Sequence, residues 1–334
     1  MPTLQTSLPA TTLSIGGATY DLFLTMTDDA VKQEHGILLK AGGKLRVGSV
    51  IETCGGGACN TSVGFARLGL SASFCGVVGS DQWGENLLKG MAKEGVNTAP
   101  ATVVEQETSS FSIILSLKSG ERTILYTPGV NEHLHDTTFD LDAIVNANAV
   151  YVNHLSETSC MIEDDIMTMV AQYPHINLTW NPGGCQIEHG YDHPDKKRLL
   201  GITNVLLVNK EEAMAFAKTD TVEKAMKILS SCGVRHVCIT DGKQGVIATD
   251  GKKTWHCPVL SNVHVVDTTG AGDAFGTAVT WALLIGHTLP DALIAGTLNA
   301  ASVVGKIGAQ AGLLTETQIT TQMTSSPLSV SEIS

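Results

Sequence analysis

The sequence predicts an α/β protein built on a mostly parallel sheet with helices on both faces. Two observations predict it. Short apolar runs alternate with helical patterns along most of the chain, and glycine-rich turns sit where an apolar run passes into a helix. Ser71 to Val78 precedes the helical pattern Asp81 to Glu94, and Ala149 to Asn153 precedes Ile162 to Gln172. Ile176 to Trp180, Asn204 to Val208, the helical Val222 to Ser231 and then Val237 to Thr240 continue the series. Sheets of this kind bind their ligands outside the carboxyl ends of the strands.

Two stretches break the alternation. Residues 19 to 53 and 108 to 127 carry strand-like pieces without an intervening helix, including Thr108 to Leu117 and Arg122 to Thr127 around the turn signal Lys118-Ser119-Gly120-Glu121. They form either an edge hairpin or a small β-sheet lid that excludes water from a transfer reaction. Both ends, 1–11 and 317–334, are rich in Ser and Thr with little apolar periodicity, which predicts flexible tails around a single domain over 12–316.

The chain has 334 residues, ample for a buried core, and a formal net charge of -12. It contains no basic block, which argues against nucleic acid or an anionic membrane as partner. Cysteines 54, 59, 75, 160, 185, 232, 238 and 257 show no C-x-x-C pair and several lie in apolar runs, as expected of reduced thiols in the cytoplasm. Met1 to Thr12 lacks the pattern of a signal peptide, and no apolar run approaches the ~18 residues of a membrane span.

The most informative run is Asp267-Thr268-Thr269-Gly270-Ala271-Gly272-Asp273-Ala274-Phe275-Gly276. Val263 to Val266 before it predicts a short strand, and Phe275, Ala278, Val279, Ala282 and Leu283 after it fall at helical spacing. A helix start exposes amides without internal acceptors and a partial positive charge, both suited to phosphate oxygens. Asp273 has two readings: a carboxylate complementing the helix dipole, or a general base for a substrate hydroxyl.

Cys54-Gly55-Gly56-Gly57-Ala58-Cys59-Asn60 is a second glycine-rich helix entry, with Gly69 as its predicted C-cap. Asn60 is either an N-cap or a partner for sugar hydroxyls. Asp21, after Gly16-Gly17-Ala18, is placed to accept hydroxyl groups. Asn209 and Glu212 follow an apolar strand and are either a capping box or outer partners of hydrated Mg²⁺. Thr240-Asp241-Gly242-Lys243-Gln244-Gly245 is a hairpin turn by spacing, or else a nucleotide-phosphate loop. Cys185, His189 and His193 have metal-like intervals but no fourth ligand, and His133 with His135 is no stronger. Neither G-x-x-x-x-G-K-[ST] nor G-x-S-x-G occurs.

Together these residues resemble the PfkB family of carbohydrate kinases, which contains ribokinase, fructokinase, 2-keto-3-deoxygluconate kinase and adenosine kinase. Asp267 to Asp273 is similar to the family signature D-T-x-G-A-G-D, and Gly55 to Gly69 to its Gly-Gly…Asn signature, in the family's order. The resemblance spans about 12 to 316 and implies a ribokinase-like three-layer sandwich with a small lid. It implies ATP-dependent phosphorylation of a primary hydroxyl of a sugar, with Asp273 as base and the amides of Gly270, Ala271 and Gly272 as anion hole.

The same resemblance assigns Asn209 and Glu212 to Mg²⁺ and phosphate, and Thr240, Gly242, Gly245 and Asn299 to the nucleotide. It assigns Asp21, Gly56, Gly57 and Asn60 to the sugar. It further implies a monovalent cation such as K⁺ near Asp267, Thr269 and Gly308, and a homodimer through the lid. Ribokinases usually carry lysine where this chain has Gly57, and Pro128-Gly129-Val130-Asn131 resembles a P-G-A-N element of sugar kinases. A nucleoside kinase of the same fold is the alternative, with Phe23, Phe111 and Tyr126 available as a base clamp. A non-catalytic nucleotide- or sugar-binding sensor is the remote one.

Overall fold

The computed structural model describes residues 9–27, 31–33, 36–39, 41–117, 122–134, 142–155 and 162–333. The Lys118 to Glu121 turn, His135, Cys160 and residues 1–8 lie outside them. A nine-stranded sheet runs in the order Ser331–Ile333, Thr254–Cys257, Val246–Thr249, His236–Thr240, Val205–Asn209, Asn177–Trp180, Ala149–Val152, Thr11–Ile15, Ser71–Cys75. From His236–Thr240 to Ser71–Cys75 all neighbours are parallel, and the other three strands add antiparallel at one edge.

Strand side chains alternate between two buried clusters, which makes the fold a three-layer sandwich. Val205, Leu207 and Cys238 point into one cluster with Phe65, Ala278 and Leu293, from the helices Gly57–Arg67, Ala271–Leu284 and Leu289–Val304. Leu206, Val208, Val237 and Ile239 point into the other with Ile166, Leu199, Phe216 and Leu229, from the helices that follow the parallel strands. Each of those helices buries one stripe because its connection returns the chain across the sheet. The carboxyl ends of the six parallel strands therefore share one edge, where Asn209 and Thr240 stand side by side in register.

The irregular stretches form a second sheet of four strands, in the order Arg122–Thr127, Phe111–Ser116, Thr19–Met26, Val47–Gly55. Its pairing puts Asp21, Thr53, Ser112 and Tyr126 in one row on one face, Phe23, Ile51, Ile114 and Ile124 in the next, and Arg122 in the row beyond. Tyr20 and Phe111 point to the opposite face and stack on Trp83 at ring-centroid distances of 5.0 and 5.1 Å. Gly69, at φ 81°, follows the helix Gly57–Arg67 as its stop.

Three expectations are corrected. Val263 to Val266 forms no strand: the amides of Val266 and Asp267 both donate to the Val304 carbonyl, at 2.7 and 3.2 Å, so the segment docks on a helix end. β-Propensity without a partner edge makes no strand. Cys185 is disulfide-bonded, whereas Cys54, Cys59, Cys232, Cys238 and Cys257 are free thiols. The segment 317–334 is folded, not a tail. Thr315 and Gln318 close a capping box on the helix Glu316–Ser325, and Ser331–Ile333 pairs with Thr254–Cys257. Ile319 anchors that helix in the core with no exposed surface. Ile319→Ala should therefore lower the unfolding free energy by about 2–5 kcal/mol in urea denaturation. A change within about 0.5 kcal/mol, the effect of a surface substitution, would mean the helix is not docked.

Candidate active site

The two glycine-rich turns meet at the shared edge of the sheet. Gly270 takes φ 75°, a left-handed conformation that lets the chain leave Thr269 and enter the helix Ala271–Leu284 directly. A side chain at Gly270 would also run into Ala309, whereas one at Gly272 would meet nothing within 4 Å, so Gly272 faces open space. The Ala271 amide is turned back to the Thr268 carbonyl by a long bond of 3.3 Å. The first turn thus keeps its dipole and its remaining amides toward the cleft.

Asp273 sits in this first turn, partly accessible at the bottom of the cleft. Asn60, on the opposing helix Gly57–Arg67, donates its Nδ2–H to Asp273 Oδ2 at 2.8 Å. Burial pushes the Asp273 carboxyl up to about 6, and the Asn60 hydrogen bond opposes the rise. Gly56 makes the close helix entry possible: at φ 88°, its absent Cβ would lie 2.6 Å from Ala18 Cα. A side chain at Gly57 would begin 2.9 Å from Asn153 Oδ1, so Asn153 fills the space beside this position.

Above this floor lies the inner face of the small sheet. Asp21 is 7% exposed, and Ser112 on the neighbouring strand donates its hydroxyl to Asp21 Oδ1. Burial raises the Asp21 carboxyl to about 6, Ser112 opposes the rise, and nearby Asp267 adds to it. Asn131 of the Pro128 to Asn131 element donates to the Ala18 carbonyl at 3.2 Å, bracing the turn between Gly17 and Asp21. The structure therefore brings Asp21, Gly56, Gly57, Asn60 and Asp273 to one place. It assigns Asn60 a bond to Asp273 that neither reading of the sequence included.

A cavity of about 570 Å³ opens beside the helix start. Thr240, Gly242 and Gly245 line it together with Ala271 and Gly272, and its walls are mostly apolar, from Val246, Val263, Val265, Phe275 and Val304. The 240–245 loop turns the hairpin between antiparallel strands and borders the cavity. Asn209 and Glu212 form a reciprocal capping box with both bonds at 2.8 Å. Burial raises the Glu212 carboxyl above its ordinary range. Asn299 is not brought to the cavity. It is fully buried, with Nδ2 donating to the Ala274 carbonyl and Oδ1 accepting from the Leu314 amide, and Thr297, Ala300 and Ala301 line the wall instead.

Asp267, Thr269 and Gly308, the expected monovalent-cation group, lie together: Thr269 offers Asp267 its amide and hydroxyl hydrogens at 3.0 and 2.8 Å, and Gly308 its amide at 3.1 Å. Arg122, reaching over from the small sheet, adds a guanidinium on Asp267 Oδ1 and a 3.3 Å contact to Thr268 Oγ1. These donors hold the Asp267 carboxyl below its ordinary range despite burial. Arg122, Ser112 and Gln310, whose Nε2 donates to Asn60 Oδ1 at 3.1 Å, are neighbours of the site that the sequence reading missed. Each is an ordinary residue outside any motif, and only the strand register or the returning chain places it here.

The model of the family described as pfkB family carbohydrate kinase matches residues 18–316. The ribokinase of Haemophilus influenzae is 28% identical over 267 residues, covering 78% of this chain and 84% of that protein. Arabidopsis thaliana ribokinase complexed with ribose and ATP superposes with a TM-score of 0.78 at 21% identity, over 95% of this chain and 99% of its own. The adenosine kinase from Sinorhizobium meliloti gives 0.76 at 22% identity, over 95% and 99%. These two likenesses bear on the fold. The family match runs through both glycine-rich turns, the small sheet and the helix start that carries Asp273, and the chain belongs to the pfkB family of carbohydrate kinases.

Proposed function

We propose that the protein transfers the terminal phosphoryl group of ATP to a primary hydroxyl of a sugar. The observation that carries this reading is the position of Asp273, a largely buried carboxylate between an anion-attracting helix start and the polar floor beneath the lid. Asp273 takes the hydroxyl proton as that oxygen attacks the phosphorus, and the helix-start amides hold the phosphoryl oxygens. Asp21, with Gly56 and Asn60 near it, receives the sugar, and the apolar cavity receives the base of the nucleotide. Glu212 and Asn209 would meet the water shell of Mg²⁺, which when bound would neutralise phosphate charge. Arg122 draws the lid toward the anion-binding loop, which keeps water from the transfer.

We assign the protein to the cytoplasm, where the donor is abundant; among the described residues no helix is long and apolar enough to cross a membrane. A homodimer through the lid has support in Val50 and Leu125, each 52% exposed on the face away from Asp21. A nucleoside acceptor is the second reading, supported by Phe23 and Tyr126 on the Asp21 face. Phe111 does not contribute to a clamp, being stacked on Trp83 at the other face.

ATP consumption on a panel of sugars and nucleosides tests the proposal, and turnover confined to nucleosides selects the second reading. Asp273→Asn should lower kcat by about 10²–10⁴-fold with nucleotide affinity little changed. A fully active variant removes Asp273 as base. Because the base works only when ionised, kcat/KM should be lost on acidification through about pH 6, and a profile level down to pH 4.5 would contradict the role. Protonation of Asp21 over the same interval would steepen the fall.

A further inference from the structure

We propose that Gln310 is a positioning residue for the catalytic base, acting through Asn60; the proposal rests on the reading of Asp273 as base. Asn60 is 4% exposed and lies between the two groups: its Nδ2 donates to Asp273 Oδ2 at 2.8 Å, and its Oδ1 accepts from Gln310 Nε2 at 3.1 Å. The polarity of this chain is fixed by chemistry. An ionised carboxylate only accepts, so the Asn60 amide nitrogen must face Asp273 and its oxygen must face Gln310, which must then present its own NH₂. Gln310 Nε2 also lies 3.2 Å from Cys59 Sγ, and among the described residues no carboxylate is its partner.

Gln310 is itself held. The Arg67 guanidinium donates to the main-chain carbonyls of Gln310 at 2.7 Å and Leu313 at 3.2 Å, while Glu94 pins Arg67 through two bonds of 2.8 Å. Glu94 and Arg67 thus fix the Gln310 backbone, from which its side-chain amide reaches Asn60 and, through it, Asp273. Without Gln310 the Asn60 Oδ1 loses its donor and the amide is held by Asp273 alone, so the looser side chain donates less well to the carboxylate. The other titratable groups facing Asp273 are Tyr151 from the central sheet and Cys59 from the Gly57–Arg67 helix, and burial raises both, leaving them neutral. They leave Asn60 as the hydrogen-bond donor that tunes the carboxylate.

The test is the pH profile of kcat/KM for Gln310→Ala and Gln310→Glu, read beside Asp273→Asn and the thermal unfolding of each variant. Loss of one charge-assisted hydrogen bond should move the acidic limb up by about one pH unit in Gln310→Ala. Gln310→Glu, which presents acceptors to Asn60 and invites the inverted amide, should move it further. The KM for ATP should stay constant in both. If Asp273→Asn abolishes turnover while both Gln310 variants keep the wild-type limb, the relay is overturned and the base assignment stands. If Asp273→Asn is active, the base assignment fails first. Variants that unfold at lower temperature but keep the limb would show Gln310 to be structural only, which also overturns the proposal.

Discussion

The hydrogen bond from Asn60 to Asp273 joins two helix starts that lie 213 residues apart in the chain, and much of the architecture serves to bring them together. A parallel sheet gathers the carboxyl ends of its strands on one edge. The glycine-rich helix starts reach that edge by other routes, Gly57–Arg67 leaving the small sheet after Val47–Gly55 and Ala271–Leu284 following the docked segment Val263 to Val266, and the two helices pack in one buried cluster. Their packing sets the distance between Asn60 and Asp273. The bond in turn offsets part of the cost of a buried carboxylate, which burial alone would push further toward its neutral form.

Asp267 plays a complementary part at the other end of the same turn. Its carboxylate accepts from Thr269, Gly308 and Arg122, tying the glycine-rich turn to the segment after the helix Leu289–Val304 and to the lid. An acid at this position would repel an arriving phosphate if left free. With a guanidinium on one oxygen and backbone amides on both, it becomes the anchor of the loop.

The fold class and the two glycine-rich helix starts were legible because they rest on local features: apolar period, strand-to-helix order and the glycines that punctuate it. The partners of the site residues were not. Arg122 lies on Asp267 only through the register of Arg122–Thr127 against Phe111–Ser116, and register is a property of paired strands. Gln310 reaches Asn60 because the chain returns past the helix start after Val304. Asn299 shows the converse: a polar residue on a late helix adjoining the cavity suggests a ligand contact, yet its amide is spent between the Ala274 carbonyl and the Leu314 amide. The C-terminal segment misled for another reason. Its Ser and Thr residues cap and coat the helix Glu316–Ser325, while Ile319 carries its contact with the core.

The charge balance of the cleft follows from the same arrangement. A chain of net charge -12 that receives a nucleotide must suppress its own negative field where the phosphates lie. Three aspartates face this region. Asp267 is matched by Arg122, while Asp21 and Asp273 are held by burial near the point where a proton is readily gained or lost. The cleft therefore presents less negative charge than its composition implies, and the helix dipole acts against a smaller opposing field. In the role proposed for Asp273, desolvation raises its affinity for a proton, as a base for a hydroxyl requires, and also lessens its repulsion of the phosphate. Asn60 limits how far that shift can go, since a carboxyl raised well past 7 would be occupied by a proton before the substrate arrived.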